Sequence, residues 1–322
     1  MRGLDLVALG ILQIIIFPGV FFLLALAFFY EWIDRKTFAK IQNRRGPSSA
    51  GPAGILQPFA DFIKLLSKED ITPAVCDKLL FTATPIIYLT LPLTALFVMP
   101  IASNTGLAAF EGDLVFVMFI FALLIITVFL GGWSSMNRYG MMGGSRAILQ
   151  MMSFEIPMAL ALSGPAIAAQ SLSISTISMW QSQATWLILL QPIGFGVLLI
   201  CILAELEASP FNIPESESEV VAGWRTEFSG RKLAMIRLGK NLELVLASAL
   251  IAALYFGGIH DFYFVPAVGV FLVKTIAVVL LVSFMRAIFA RLRLDQSIAG
   301  MWKYLLPLAL LQVVLVELGI GI

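Results

Sequence analysis

The sequence predicts an all-α, polytopic membrane protein. It reads as one integral domain over 1–322, with about eight transmembrane helices and an amphipathic surface helix in the first long loop. Three observations carry this. Of 322 residues, 60% are hydrophobic and only 13% charged, which leaves too little polar surface for a soluble domain. Apolar runs of roughly 20 residues, the length that crosses a bilayer, recur along the chain. Basic residues crowd into alternate connections between those runs.

The runs cover 6–30, 80–100, 114–131, 148–170, 186–206, 241–257, 266–288 and 302–320. The opening MRGLD leads into a long apolar stretch with no short h-region or cleavage site, so it reads as a retained helix. The runs at 148–170 and 186–206 contain Glu155, Pro157, Pro165 and Pro192. Inside lipid, such residues require neighbouring helices or a polar cavity to satisfy the backbone. Connections 31–79, 132–147, 207–240 and 286–303 hold 19 of the 21 Lys and Arg, whereas 101–113, 171–185 and 258–265 hold none. The positive-inside rule therefore places both termini outside a cell membrane and the four long loops in the cytoplasm.

In the first loop, Ile55, Leu56, Phe59, Phe62, Ile63 and Leu66 recur at helical spacing, with Asp61, Lys64, Lys68 and Glu69 opposite. That pattern is a helix lying on a lipid surface, either anchoring the loop or docking a partner. The preceding RRGPSSAGPAG is a constrained turn that lacks the lysine of a phosphate loop. A net charge of +1 argues against nucleic acid as a partner. Cys76 and Cys201 lie far apart and His260 is the only histidine, so the chain offers no metal or iron–sulfur framework of its own.

Ionisable residues within the apolar runs are expensive and point to function. Glu155 falls roughly 10 Å into its run at 1.5 Å per residue, and Lys274, in the seventh run, is its expected partner. Glu205 and Glu207 close the fifth run and Glu243 begins the sixth. Glu215, Glu217 and Glu219 follow two residues apart, a spacing whose mutual repulsion raises proton affinity.

Four stretches carry a resemblance: AKIQNRRGPSSAGPAGILQPFADFIKLLSKEDITP, GWSSMNRYGMMGGSRAILQMMSFEIPMAL, PFNIPESESEVVAGWRTEFSG and RAIFARLRLDQ with WKYLLPLAL. Together they resemble the H-subunit family of respiratory complex I (mitochondrial subunit 1), with relatives in membrane-bound hydrogenases. The resemblance implies a coupling subunit without catalytic chemistry of its own. It would link iron–sulfur subunits of a cytoplasmic arm to antiporter-like and small membrane subunits, with lipid around it. The clusters would sit in partner subunits, with none bound by this chain. Glu155, Glu205, Glu215, Glu217 and Glu219 would then belong to an acidic path for ions. Arg44, Arg45, Gln57, Phe59, Asp61, Lys64, Arg225, Arg286, Arg291, Arg293 and Asp295 would border the docking face or its cavity.

Ala208, Asn212, Ser48-Ser49 and Gly239-Lys240-Asn241 stand where the family commonly has an Arg, an Asp, Asn-Arg and Ala-Glu-aromatic. These departures count against quinone as the acceptor and lean toward ferredoxin-linked hydrogenase or sulfur-reducing relatives. The long first loop argues instead for complex I, and the parent complex stays open. The alternatives are the quinone-chamber subunit of an NADH:quinone oxidoreductase and a stand-alone secondary transporter. A prenyltransferase would need paired aspartates for Mg²⁺, which are missing.

Overall fold

A computed structural model describes residues 10, 12–183, 185–258 and 266–321. Seven helices in it are long and apolar enough to cross a membrane, and an eighth apolar helix is shorter. There is no strand among the described residues.

Helix α1 (Val20–Ile41) runs eleven residues beyond the last apolar residue expected of it, Tyr30. The extension carries Glu31, Asp34, Arg35, Lys36 and Lys40, and it persists because Glu31, Asp34 and Arg35 find partners on other helices. Helix α2 (Gln57–Ser67) is the surface helix. Pro58 sits in its first turn, where a missing N–H costs nothing. Leu56, Phe59, Ile63 and Leu66 lie exposed on one side of it, while Phe28 of α1 meets the Phe59 and Phe62 rings at 5.7 and 5.4 Å.

Helix α3 (Lys78–Leu96) is capped by Asp77, which accepts from the Leu79 and Leu80 amides. Helix α4 spans Asp113–Ser134. Helix α5 (Arg138–Ala169) starts ten residues before the expected 148, because Asn137 caps it by accepting from the Tyr139 amide. Pro157 and Pro165 lie inside α5, and it continues through both. Glu155 therefore stands more than four turns from the start of its helix, not seven residues in.

The fifth expected run is broken. After α6 (Ile174–Gln183), a single turn α7 (Leu187–Leu190) precedes α8 (Pro192–Glu205). Pro192 opens α8 at its first position and does not kink a longer helix. With 14 residues, α8 is about 21 Å long, short of the ~30 Å hydrocarbon core.

Helix α9 (Gly230–Tyr255) is the centre of the bundle, and every residue from Val245 to Tyr255 is buried. A helix that is apolar all round must be enclosed, and Ala247, Ser248, Ala249, Ala252 and Ala253 let its neighbours approach closely. It packs on α1, α2, α3 and α10 (Ala267–Ile288). Glu243, expected to begin this span, lies well inside it. Helix α11 (Leu294–Glu317), wound as a π-helix over Met301–Leu305, leans on α5 and α8.

The long basic connections meet at one end of the bundle. There Ser229 Oγ accepts from the Ile71 amide, Lys232 pairs with Asp70, Asn137 donates to Glu227, and the Leu292 amide donates to Pro210 O. The short connections meet at the other end, where the Leu114 amide donates to Leu172 O and Gly106 N to Ser175 Oγ.

Candidate functional site: a charged chamber and the carboxylates behind it

A cavity of about 790 Å³ opens at the basic-loop end. Helix α1 supplies Glu31, Asp34, Arg35 and Phe38, and α9 supplies Arg237, Lys240 and Asn241. Arg286 comes from α10, Arg44 from the loop after α1, and Glu207, Glu215 and Arg225 from the segment after α8. Six cationic and four acidic side chains thus face one space.

Most of these charges are matched across elements, as partly buried charges must be. Arg35 pairs with Glu31 and, at 2.7 Å, with Asp61 of the surface helix. Gln57 donates to Asp61 and Asn241 to Glu31. Burial would raise the Asp61 pKa, but the Arg35 guanidinium and the Gln57 amide outweigh it and hold the group below the usual carboxylate range. Asp34 accepts from Ser283 at 2.7 Å and pairs with Arg286 at 2.5 Å. The Arg286 and Arg44 guanidinium carbons lie 4.6 and 5.3 Å from the centre of the Phe38 ring.

At the inner wall, Lys240 Nζ lies 3.4 Å from Glu207 Oε2 and 3.2 Å from Glu215 Oε2, and Arg225 pairs with Glu215 from the other side. The backbone at Glu207 explains its aim. The Ala208 amide bonds Leu203 O and the Glu207 amide bonds Ala204 O, a Schellman ending for α8. Such an ending puts Glu207 in the left-handed region, φ 47, where glycine is the usual occupant. Placing a glutamate there costs roughly 1 kcal/mol. Burial pushes the Glu207 carboxyl up to about 7 against the pull of Lys240. Glu215 is buried too, but Lys240 and Arg225 outweigh burial and hold it below its ordinary value.

The acidic series continues inward. One turn along α9 from Lys240, Glu243 accepts from Tyr88 Oη at 2.9 Å. That contact depends on Gly239, because a Cβ there would come within 2.7 Å of the Tyr88 ring. Glu205, at the end of α8, is 3% exposed, and neither carboxylate oxygen has a hydrogen-bond partner among the described residues. Glu243, Glu207 and Glu155 all lie within electrostatic reach of Glu205. Gln150 of α5 donates to Ala204 O beside it.

Known proteins are similar to this chain along most of its length. The NADH dehydrogenase family profile matches residues 12–317. The chain belongs to the NADH dehydrogenase family. It is 36% identical to the H subunit of the NADH-quinone oxidoreductase of Dehalococcoides mccartyi (strain CBDB1) over 91% of this chain and 82% of that protein. It is 37% identical to the protein of the same name from Thermomicrobium roseum, covering 93% and 94%. It is also 36% identical to the H subunit of the F(420)H(2) dehydrogenase of Methanosarcina mazei, covering 87% and 85%.

In this NADH dehydrogenase family member several expected placements need correction. Glu215 and Glu219 do not form one acidic cluster: Glu215 faces the chamber, and Glu219 turns out to Arg146 (2.5 Å) and Arg291 (3.1 Å). Those cations, Arg146 first, hold Glu219 below the ordinary range, the opposite of the rise expected from neighbouring carboxylates. The Glu217 side chain and His260 lie outside the described residues. Lys274 does not meet Glu155: it donates to Gly258 O at 2.7 Å and lies over Trp186, at the end away from the chamber. Glu155 is half-buried.

Among the expected docking residues, Arg45 and Lys64 are exposed. Arg293 holds the N-cap position of α11, where its amide donates to Gln296 Oε1, and Asp295 lies in the first turn. The sequence reading missed Glu31, Asp34, Arg35, Tyr88 and Arg237, and took Lys240 and Asn241 only as departures from the family pattern. A signal was available for three of them. Glu31, Asp34 and Arg35 sit at i, i+3 and i+4, which puts them on one face if α1 continues past its apolar run.

Proposed function

We propose that the chain is the membrane-anchoring and coupling subunit of a complex-I-like respiratory oxidoreductase, linking electron transfer in an iron–sulfur arm to proton or sodium translocation. One observation carries the reading. Glu215, Glu207, Glu243 and Glu205 form a buried series that leads from the charged chamber into the bundle, with Glu155 in electrostatic reach at its inner end. Buried carboxylates at such cost are retained where protonation changes are used. The arm docks on the basic-loop face, around Arg44, Arg45, Arg291 and the surface helix, and that face is cytoplasmic with both termini outside. Antiporter-like and small membrane subunits cover the lipid-facing sides.

A second reading, the quinone chamber of an NADH:quinone oxidoreductase, draws on the names of the relatives and on a cavity within the 300–1,000 Å³ of ordinary ligand sites. Asn241, Lys240 and the arginines could donate to the oxygens of a quinone head group. The lining is mainly charged, however, where ligand sites are mainly apolar. The crevice from the surface helix toward the chamber, between Phe28, Phe62 and Arg237, has room for about 10 Å³.

The test places Glu155→Gln and Glu205→Gln complexes in sealed vesicles and measures electron transfer and the ion gradient together. Assembly is expected to survive. Ions moved per electron should fall at least ~10-fold, since the amide keeps shape but cannot carry a proton. Full coupling in both variants would reduce the two carboxyls to packing.

A further inference from the structure

Charge compensation along the acidic series is graded. Glu215 has two cations against it, Arg225 and Lys240. Glu207 has one, and it is the same Lys240. Among the described residues, Glu243 has the Tyr88 hydroxyl and Glu205 has no hydrogen-bond partner. Lys240 is thus the last cation paired with the series before it enters the bundle. It is shared by two carboxylates whose other oxygens, Glu207 Oε1 and Glu215 Oε1, are buried and without a partner among the described residues.

The two carboxyl groups are brought close by the ammonium they share, at 3.4 and 3.2 Å. Two buried carboxylates this near each other cannot both be charged cheaply, so one exchangeable proton shared by the pair is the low-cost state. Its position depends on where the ammonium stands. An ammonium on a flexible four-carbon stem can lean toward either acid, and its charge also reaches Glu243, one turn further along the same helix.

On this basis we infer that Lys240 is a positioning residue that keeps the proton on Glu207 exchangeable, by lending one positive charge to Glu207 and Glu215 together. The inference rests on the coupling reading above. No heavy-atom bond changes: a proton enters Glu207 from the chamber side and leaves from it. Other charges face the pair. Arg225 is committed to Glu215; on α1, Glu31 and Asp34 are held by Arg35 and Arg286. Arg237 on α9 and Arg44 line the chamber. Tyr88 of α3 and Glu243 lie on the inner side. Of the cations, only Lys240 is paired with Glu207 among the described residues.

The test is an infrared pH titration of the intact complex, in which the carboxyl band that Glu207→Gln removes reports Glu207. Lys240→Met is expected to move the midpoint of that band upward by ~1 unit or more, the usual effect of losing an opposite charge at this range. Lys240→Arg, which keeps the charge, should leave it near the parent value. An unmoved midpoint in Lys240→Met, or an equal rise in Lys240→Arg, overturns the assignment. Should Lys240→Met fail to assemble, Glu207→Gln/Lys240→Met removes the uncompensated acid and is expected to restore assembly; failure to do so also overturns it. Parent vesicles that transfer electrons without moving ions would sink the coupling reading and leave the midpoint shift standing. Coupled parent vesicles with no midpoint shift would sink the role of Lys240 alone.

Discussion

The two ends of the bundle bury polar groups in different ways. At the basic-loop end the buried groups are ionisable: Glu207, Glu215 and Glu243 against Lys240, Arg225 and a tyrosine hydroxyl. At the far end they are mostly neutral amides, and the one buried carboxylate among the described residues there, Asp113, accepts from the Phe110 amide and the Ser173 hydroxyl. Gln312 donates to Gln191 Oε1 at 3.0 Å, and Gln191 donates to Gly321 O at 3.0 Å. Gln181 donates to Ala253 O and Leu254 O and accepts from the Gly257 amide. An amide satisfies broken helix ends without titrating, so it holds one arrangement at every pH. A carboxyl–ammonium group is dearer to bury, yet it can exist in two protonation states. The far end is therefore built to stay fixed and the near end to change.

The largest effect should come from moving chemistry between the ends. Gln312 fits a notch left by Gly164 and Gly194, where added Cβ atoms would come within 2.1 and 2.0 Å of it. Gln312→Glu puts an unpaired carboxyl in that notch, at a cost of several kcal/mol. Loss of assembled complex on native gels is the expected result. Gln312→Leu should assemble with a loss of ~1–3 kcal/mol, seen as a lower melting temperature, and with the ion-to-electron ratio unchanged. A changed ratio in Gln312→Leu would mean that the far end also takes part in coupling.

A middle-sized effect sharpens the near end. With its pKa raised from 4.5 to about 7, Glu207 binds more protons in the folded than in the unfolded state between those values. Its contribution to stability is complete below about pH 4.5 and is lost as pH rises through 7. Melting temperature should thus fall more steeply across this window in the parent than in Glu207→Gln. Identical slopes would place Glu207 with the fixed groups.

The smallest effect on the fold belongs to the rim. Arg44 and Arg45 are exposed, so reversing both to Glu should change stability by under ~1 kcal/mol. Retention of the peripheral arm on native gels is expected to drop all the same, because docking charges act together. An arm that stays bound would leave the pair as topology signals only.

Much of this was legible in the sequence. Apolar runs located the bundle, because lipid allows few alternatives to helix. Glu205, Glu207, Glu215 and Glu243 stood out as charges out of place. What escaped reading was helical continuation beyond the apolar stretch. Glu31, Asp34 and Arg35 look like loop residues until their partners Asp61 and Arg286 arrive from elsewhere in the chain. Tyr88 reads as an ordinary core aromatic until Gly239 lets it reach Glu243. The divergence of Glu215 and Glu219 also depended on distant cations, Arg225 and Arg146, which spacing alone cannot assign.

The left-handed glutamate at position 207 has a consequence for engineering. Any redesign scored on thermal tolerance would replace Glu207 with glycine, which relaxes the backbone turn and removes a buried acid in one change. Such a variant would gain robustness and lose the group poised at neutral pH, so heat resistance and the proposed ion coupling would pull this one codon in opposite directions.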